Sequence, residues 1–330
     1  MAACRERVSV VGVGSFAPSR VMSNNEIATM VDTSDEWISS RTGIRERRVA
    51  TESESAVDLG VEASRRALDD ADLEPSSVDL IVAATSSPDF YFPATAALIG
   101  HRLGTGAAGF DLSAACSGFV FASAQAYSQV ASGLADTALV VGTEVFSRLL
   151  DWSDRSTCVL FGDGAGAVVL SRDESRRGML GIELGSDGEG GDLLCVAAAG
   201  HRPNGQSPYV RMDGPQVYKF ATTVSVESAL RALDAAGLEV ADVDVFVPHQ
   251  ANQRIIEHAA RRLGIPFAKV ESNVARYGNT SAASIPICLD EAYRAGRITS
   301  GDIVLMTGFG GGLSWGSCVM EWTTSLKERA

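Results

Sequence analysis

Asp111-Leu112-Ser113-Ala114-Ala115-Cys116-Ser117-Gly118 decides how this chain reads. The apolar run before it, Ala107 to Leu112, predicts a strand. A run of small and apolar residues from Phe119 to Ser132 follows, and Gly133 closes it as a C-terminal stop. Phe119, Val120, Phe121, Ala122, Ala124, Ala126 and Ala131 point in every direction around that helix, and a helix apolar on all faces is a buried one. Cys116 therefore falls at the first turn of a buried helix, just past a strand. Helix-end N–H groups and their partial positive charge favour a thiolate, the reactive form of cysteine. The competing reading is a cysteine that acts as a small buried hydrophobe.

Outward from this stretch the chain repeats itself. Arg66-Ala67-Leu68-Asp69-Asp70-Ala71-Asp72-Leu73-Glu74 faces Arg231-Ala232-Leu233-Asp234-Ala235-Ala236-Gly237-Leu238-Glu239 at an offset of 165, half of the 330 residues. Val78 to Val82 faces Val243 to Val247, and Ala138 to Val141 faces Ile303 to Met306, at the same offset. Ser113 to Cys116 matches Ser281 to Ser284 at 168. One offset held across separated elements predicts an internal duplication, with each half an α/β unit around a buried sheet, divided as 1–170 and 171–330. Related halves would bring the helix starts at Cys116 and Ser284 together at the centre.

Composition narrows the function. The chain is 45% hydrophobic and 21% charged, ordinary for a globular protein, and its net charge of −13 disfavours nucleic acid or an anionic membrane as partner. Its six cysteines show no C-x-x-C pair, so neither a metal site nor a disulfide framework is expected. Val8 to Val13 is too short and glycine-broken for a signal peptide, and no stretch reaches membrane-span length. These features predict a cytosolic protein with reduced thiols. Gly12-Val13-Gly14 with Ala17 fits a dinucleotide fingerprint, but Pro18 stands where the helix should continue.

The polar segment Thr33 to Arg48 carries one aromatic, Trp37, among arginines, and reads either as a solvated loop or as a ligand mouth. Ser55 to Ala71 and Val217 to Leu233 predict helices; Arg172 to Gly205 reads as irregular and glycine-rich. His249 follows the buried strand Val245 to Val247, at the strand end where α/β sites lie. Asn279 precedes the repeat of the cysteine helix, where an Asn commonly caps. Gly310-Gly311-Gly312 lets backbone N–H groups approach a developing anion, or simply turns the chain. A thiol, an imidazole, an amide and a backbone-donor loop suit acyl transfer through a thioester intermediate.

The motifs Ser34-Asp35-Glu36-Trp37-Ile38, Arg41-Thr42-Gly43-Ile44, Ser113 to Gly118, Phe161 to Gly166, Pro248-His249-Gln250-Ala251-Asn252, Gly278 to Ser284 and Phe309 to Gly312 resemble those of β-ketoacyl-acyl-carrier-protein synthase III, in order from about Val8 to Trp322. The resemblance implies the thiolase fold, two halves stacked as α-β-α-β-α, and a homodimer. It implies that Cys116 accepts the acyl group from acyl-CoA. His249 and Asn279 would hold the malonyl thioester carbonyl during a decarboxylative Claisen condensation with malonyl-acyl-carrier protein. The N–H groups of Cys116 and Gly311 would form the oxyanion hole. Trp37 and Arg155 would sandwich the CoA adenine, with Thr33, Arg41 and Asn252 beside them. Phe92 would cross a dimer to close the partner's acyl pocket. No cofactor beyond the CoA thioester substrate is implied, and no metal.

Arg254, Arg261 and Arg262 share a face of the helix after His249, with no balancing acid expected there. With Gln250, Ala251, Asn252, Gln253 and Lys219 they form the surface expected to receive an acidic carrier protein. A priming synthase of a polyketide or other secondary pathway, and an oxidoreductase built on the Gly12-Val13-Gly14 fingerprint, are the competing readings.

Overall fold

The computed structural model describes residues 8–173, 178–198 and 207–326. In chain order the first half holds β1 (Val8–Phe16), β2 (Val21–Ser23), α1 (Asn24–Ile27), α2 (Asp35–Thr42), β3 (Glu46–Arg48), α3 (Ala56–Ala71), β4 (Leu80–Ala84), α4 (Thr95–Leu103), β5 (Ala108–Leu112), α5 (Gly118–Ala131), β6 (Thr137–Glu144), α6 (Arg155–Cys158) and β7 (Gly164–Arg172). The second holds β8 (Met179–Ser186), β9 (Leu194–Cys195), β10 (Arg211–Met212), α7 (Gly214–Ala236), β11 (Val245–Pro248), α8 (Gln253–Leu263), α9 (Val274–Tyr277), α10 (Ser284–Arg294), β12 (Ile303–Gly310) and β13 (Ser314–Glu321).

Two sheets follow one plan. The first runs β1-β7-β6-β4-β5, with β4 parallel to β5 and β6, and β7 antiparallel to β6 and β1. The second runs β11-β12-β13-β8, with β11 parallel to β12 and the rest antiparallel. Its fifth strand shrinks to a single parallel bridge between Phe246 and Val270.

The strands are apolar on both faces because both faces are covered. Val82, Val140, Val247 and Met306 point inward, onto Phe119 and Val120 of α5 and Ile285 and Leu289 of α10. Their neighbours Ile81 and Leu139 point outward, onto Leu59 and Ala63 of α3. Phe246 and Leu305 do the same onto Leu233 of α7 and Ile256 of α8. The period of two along each strand therefore sorts side chains into two cores. The result is five layers, helices outside, helices between, and a sheet on each side of the central pair.

The duplication is registered differently from the sequence match at the centre. Ala115 and Ser281 are the paired left-handed residues, at φ 45° and 48°. Single 3-10 turns follow at Ala115–Ser117 and Ser281–Ala283, and the helices begin at Gly118 and Ser284, 166 residues apart. The structural twin of Cys116 is thus Ala282, and Ser284 is the twin of Gly118. Twin glycines on β6 and β12 make room for these turns. A Cβ on Gly142 would lie 2.3 Å from the Ala282 carbonyl oxygen, and one on Gly308 would lie 3.0 Å from the Ser117 Cα.

Three further expectations change. The stretch from Arg172 includes β8, an eight-residue strand, and residues 199–205 of the glycine-rich segment lie outside the described residues. The polar segment Thr33 to Arg48 is not a loop: α2 starts at an N-cap, Ser34, whose hydroxyl accepts the Trp37 N–H, and ends at Gly43 with φ 80°. Only Ile38 and Thr42 of α2 are buried, so no apolar stripe announced it. The dinucleotide reading fails because β1 continues to Phe16 and pairs antiparallel with β7. Its glycines serve packing, since a Cβ on Gly12 or Gly14 would lie 2.3 or 2.4 Å from the Ala67 backbone of α3.

Candidate active site

Cys116 sits in the single turn ahead of α5 and is 4% exposed. Two cavities meet at it. One, about 650 Å³, is walled by Phe121, Phe146, Phe161, Leu194 and Val210. The other, about 160 Å³, is walled by His249, Asn279, Phe309, Asn252 and Tyr218. Phe161 and Leu194 border both. The sulfur is therefore approachable from two sides.

The thiol is not the thiolate that its place in the sequence suggested. Burial pushes its pKa from 9.0 up to about 12. A shift of that size is about 4 kcal/mol, whereas a charge at a helix end gains about 0.3–1 kcal/mol. Desolvation wins, and the regular helix begins only at Gly118.

His249 follows β11, and its N–H donates to the Thr307 carbonyl at 2.8 Å. Its ring stands edge-on to Phe309, centroids 5.2 Å apart. Complete burial lowers its pKa from 6.5 to about 3, so the ring is neutral. Nδ1 lies 2.6 Å from the Ser284 hydroxyl oxygen, which also accepts the Gln250 N–H at 3.4 Å. A Ser284 hydroxyl that donates to Nδ1 leaves Nε2 carrying the ring proton.

Asn279 is pinned on both sides by backbone: its N–H donates to Leu160 O at 2.8 Å, and its carbonyl accepts from Gly162 N at 3.0 Å. Its Oδ1 accepts the Ser281 N–H at 2.8 Å. The capping oxygen is thus engaged, and the amide NH₂ is the end left for the cavity it lines. Capping and site roles belong to opposite ends of one side chain.

The glycine turn lies against the cysteine turn. A Cβ on Gly310 would lie 2.6 Å from the Cys116 backbone nitrogen, and Gly311 lines the larger cavity. Ser314 fastens the two turns, its hydroxyl oxygen 2.9 Å from the carbonyls of both Ala114 and Gly311.

The expected nucleotide end is assembled around Trp37. The guanidinium carbons of Arg41 and Arg155 lie 4.6 and 4.9 Å from its ring centroid. Arg155 also donates to Asp32 O at 2.7 Å. Thr33 precedes α2, its hydroxyl buried without a partner among the described residues. Asn252 joins this end to the smaller cavity: its amide donates to Arg41 O at 3.2 Å, and its Oδ1 caps α8 through Arg254 N. Phe92 is 86% exposed and is not a wall of its own chain's acyl-side cavity. It borders an adjoining groove of about 630 Å³ that shares Ser86 and Val196 with that cavity.

The proposed docking surface needs correction. Arg254, Arg261 and Arg262 are exposed on α8, and Lys219 is exposed on α7. Gln250 is 1% exposed, bonded to Pro248 O, and takes no part in a surface. Ala251 lines the inner cavity instead. Gln253 is half-buried and bonded to Glu257 and Ser272. Glu257 stands one turn from both Arg254 and Arg261, so that face does carry an acid. The sequence marked Ser281 and Ser284 only through the repeat and its motif, and gave no signal for Ser314 and Glu144, whose places folding sets.

Among the described residues no cluster of three or more possible metal ligands forms. Duplicated halves that meet turn to turn around a thiol are the architecture of thiolase-fold condensing enzymes, and this chain is one. Residues 110–188 match the 3-oxoacyl-[acyl-carrier-protein] synthase III model and residues 233–322 match its C-terminal model. The β-ketoacyl-[acyl-carrier-protein] synthase III of Desulfitobacterium hafniense is 50% identical over 96% of this chain and 98% of its own length. That of Rhizobium meliloti is 51% identical over 96% and 99%. The crystal structure of the Pseudomonas aeruginosa synthase III superposes with a TM-score of 0.92 at 46% identity, covering 97% and 100%. A priming β-ketosynthase from a polyketide biosynthetic pathway reaches 0.93 at 41%, covering 98% of both chains. The chain belongs to the 3-oxoacyl-[acyl-carrier-protein] synthase III family, and it is a condensing acyltransferase of the kind that initiates fatty acid synthesis.

Proposed function

We propose that this enzyme takes an acyl group from acyl-CoA onto Cys116 and condenses it with malonyl-acyl-carrier protein, releasing CoA and CO₂. The observation that carries the residue roles is the pairing of two N–H donors on one cavity with the thiol. With Nδ1 engaged by Ser284 and Oδ1 engaged by Ser281 N, His249 and Asn279 each present a donor. Both can bond a malonyl thioester carbonyl, and both bonds strengthen as decarboxylation turns that oxygen into an enolate. A neutral imidazole with its proton on Nε2 suits this role, since that N–H faces the carbonyl while Nδ1 is engaged by Ser284.

The acyl chain occupies the larger cavity while its thioester oxygen faces the N–H groups of Cys116 and Gly311. CoA lies toward Trp37, its adenine taking the place on the ring that the Arg155 guanidinium now holds at 4.9 Å, with Thr33, Arg41 and Asn252 beside it. The carbanion attacks the acyl-cysteine and yields 3-oxoacyl-acyl-carrier protein.

The protein acts as a homodimer. β5 is an end strand with Ala108 and Gly109 exposed, and Phe90, Tyr91 and Phe92 are exposed large side chains. An open strand edge and exposed aromatics suit a partner copy, whose acyl cavity Phe92 would close. Among the described residues no helix is long and apolar enough to cross a membrane. We place the enzyme in the cytoplasm, where a nucleophilic thiol stays reduced.

The likeness to a polyketide priming synthase supports a second reading, in which the same chemistry primes a secondary pathway. Intact-protein mass spectrometry after mixing with acetyl-, isobutyryl- and longer acyl-CoA separates the two by the acyl group that loads. Loading that survives Cys116→Ser would refute the nucleophile assignment.

A further inference from the structure

Ser314 opens β13, is 6% exposed, and carries a hydroxyl that the reaction above does not use. It closes a tight connection from β12. Gly310 pairs with Ser314 across the ladder, so only Gly311, Gly312 and Leu313 lie between them. Leu313 is held from outside, exchanging both backbone hydrogen bonds with Asp187 at 2.7 and 2.8 Å. Gly312 packs against Ser314 at φ 140°. Gly311 has no side chain to anchor it, and a glycine backbone turns freely unless something holds it. Its carbonyl oxygen lies 2.9 Å from the Ser314 hydroxyl oxygen.

The proton of that hydroxyl has one destination. Ser314 Oγ lies 2.9 Å from Ala114 O as well. Ala114 O, however, already accepts the Ser117 N–H at 3.1 Å and the Ser117 hydroxyl at 2.7 Å. A carbonyl oxygen has two lone pairs, so the Ser314 proton goes to Gly311 O. The Ser117 hydroxyl oxygen stands 3.0 Å from Ser314 Oγ. The Ser314 hydroxyl is thus seated on the cysteine turn and grips the glycine turn. The two oxyanion donors assigned above, the N–H groups of Cys116 and Gly311, belong to these two turns.

We propose that Ser314 is the positioning residue of the oxyanion hole: its hydroxyl, by holding the Gly311 carbonyl, sets the angle at which Gly311 presents its N–H beside that of Cys116. A tetrahedral oxyanion forms when the sulfur attacks acyl-CoA, and another when the carbanion attacks the acyl-cysteine. Both steps need donors already aimed at the place where charge develops. Alkylation of the same sulfur by iodoacetamide displaces iodide and forms no oxyanion. CoA is gripped at Trp37, on α2, away from the glycine turn.

This rests on Cys116 being the nucleophile and Gly311 N–H an oxyanion donor. The test compares Ser314→Ala and Ser314→Thr with wild type in three measurements: rapid-quench loading at saturating acetyl-CoA, iodoacetamide alkylation of Cys116, and CoA binding by titration. Loading in Ser314→Ala should slow about 10-fold to 100-fold, between the worth of one hydrogen bond and that of a lost oxyanion donor. Alkylation and CoA affinity should be unchanged. Ser314→Thr keeps a hydroxyl and should recover most of the loading rate. Loading at the wild-type rate in Ser314→Ala, an equal slowing of alkylation, or equally slow alanine and threonine variants overturns the positioning role. The reading beneath it fails differently: normal loading in Gly311→Pro, which deletes the donor itself, overturns the oxyanion hole, and loading that persists in Cys116→Ser overturns the nucleophile.

Discussion

The Nδ1 atom of His249, at the end of β11, lies 2.6 Å from the hydroxyl oxygen of Ser284, the first residue of α10. Thirty-five residues separate them in sequence. Without that hydroxyl the imidazole would be free to move its proton to Nδ1 and present a lone pair to the malonyl carbonyl. Ser284→Ala is therefore expected to lower the condensation rate about tenfold, the worth of one hydrogen bond. Acyl loading should stay normal, so the two half-reactions, timed separately, check it.

His249 also makes stability depend on pH. Its folded pKa of about 3 lies below the ordinary 6.5. Below 6.5 the unfolded chain binds a proton there that the native chain refuses, so stability falls as pH drops from 6.5 toward 3. The slope from this residue approaches about 1.4 kcal/mol per pH unit. Denaturant melts between pH 7 and 4.5 should show His249→Gln losing less stability than wild type.

Gly310→Ala is expected to abolish loading by displacing the Cys116 turn. A methyl 2.6 Å from the Cys116 nitrogen meets backbone, which cannot step aside as a flexible side chain could. Overpacking of this kind costs about 1–3 kcal/mol, which thermal melts would register beside the activity loss.

Carrier-protein docking is tested best at Arg261 and Arg262. Reversing both to glutamate should raise KM for malonyl-carrier protein and leave acyl-CoA loading intact. Arg254→Glu should impair both, because Arg254 also donates to Ser40 O at 2.8 Å and so holds the helix bearing Trp37 and Arg41. Steady-state kinetics with each substrate varied in turn separates these outcomes.

Trp37→Ala removes the surface on which Arg41 and Arg155 both rest. KM for acyl-CoA should rise about fivefold to thirtyfold, as expected for a stacking contact of 1–2 kcal/mol, with single-turnover condensation of preloaded enzyme unaltered.

Periodicity and repetition are local properties, so the strands, the buried helix behind Cys116 and the duplication were all legible along the chain. So were His249 and Asn279, because each follows or precedes an element whose end is marked. The central register was misjudged by two residues because Ser-Ala-Ala recurs by composition, while φ at Ala115 and Ser281 sets the true twins. α2 escaped for want of an apolar face.

The amino-acid order alone determined the layered architecture and the family, and it singled out Cys116 among six cysteines. It could not determine ionisation. That Cys116 rests as a thiol and His249 as a neutral ring follows from burial between two sheets whose strands come from opposite halves of the chain. Likewise Gln250 became an internal strut and Glu144 a neighbour of the nucleophile only through tertiary packing. Solvent exclusion is a property of the folded whole, and it outweighs any charge preference written into a helix end.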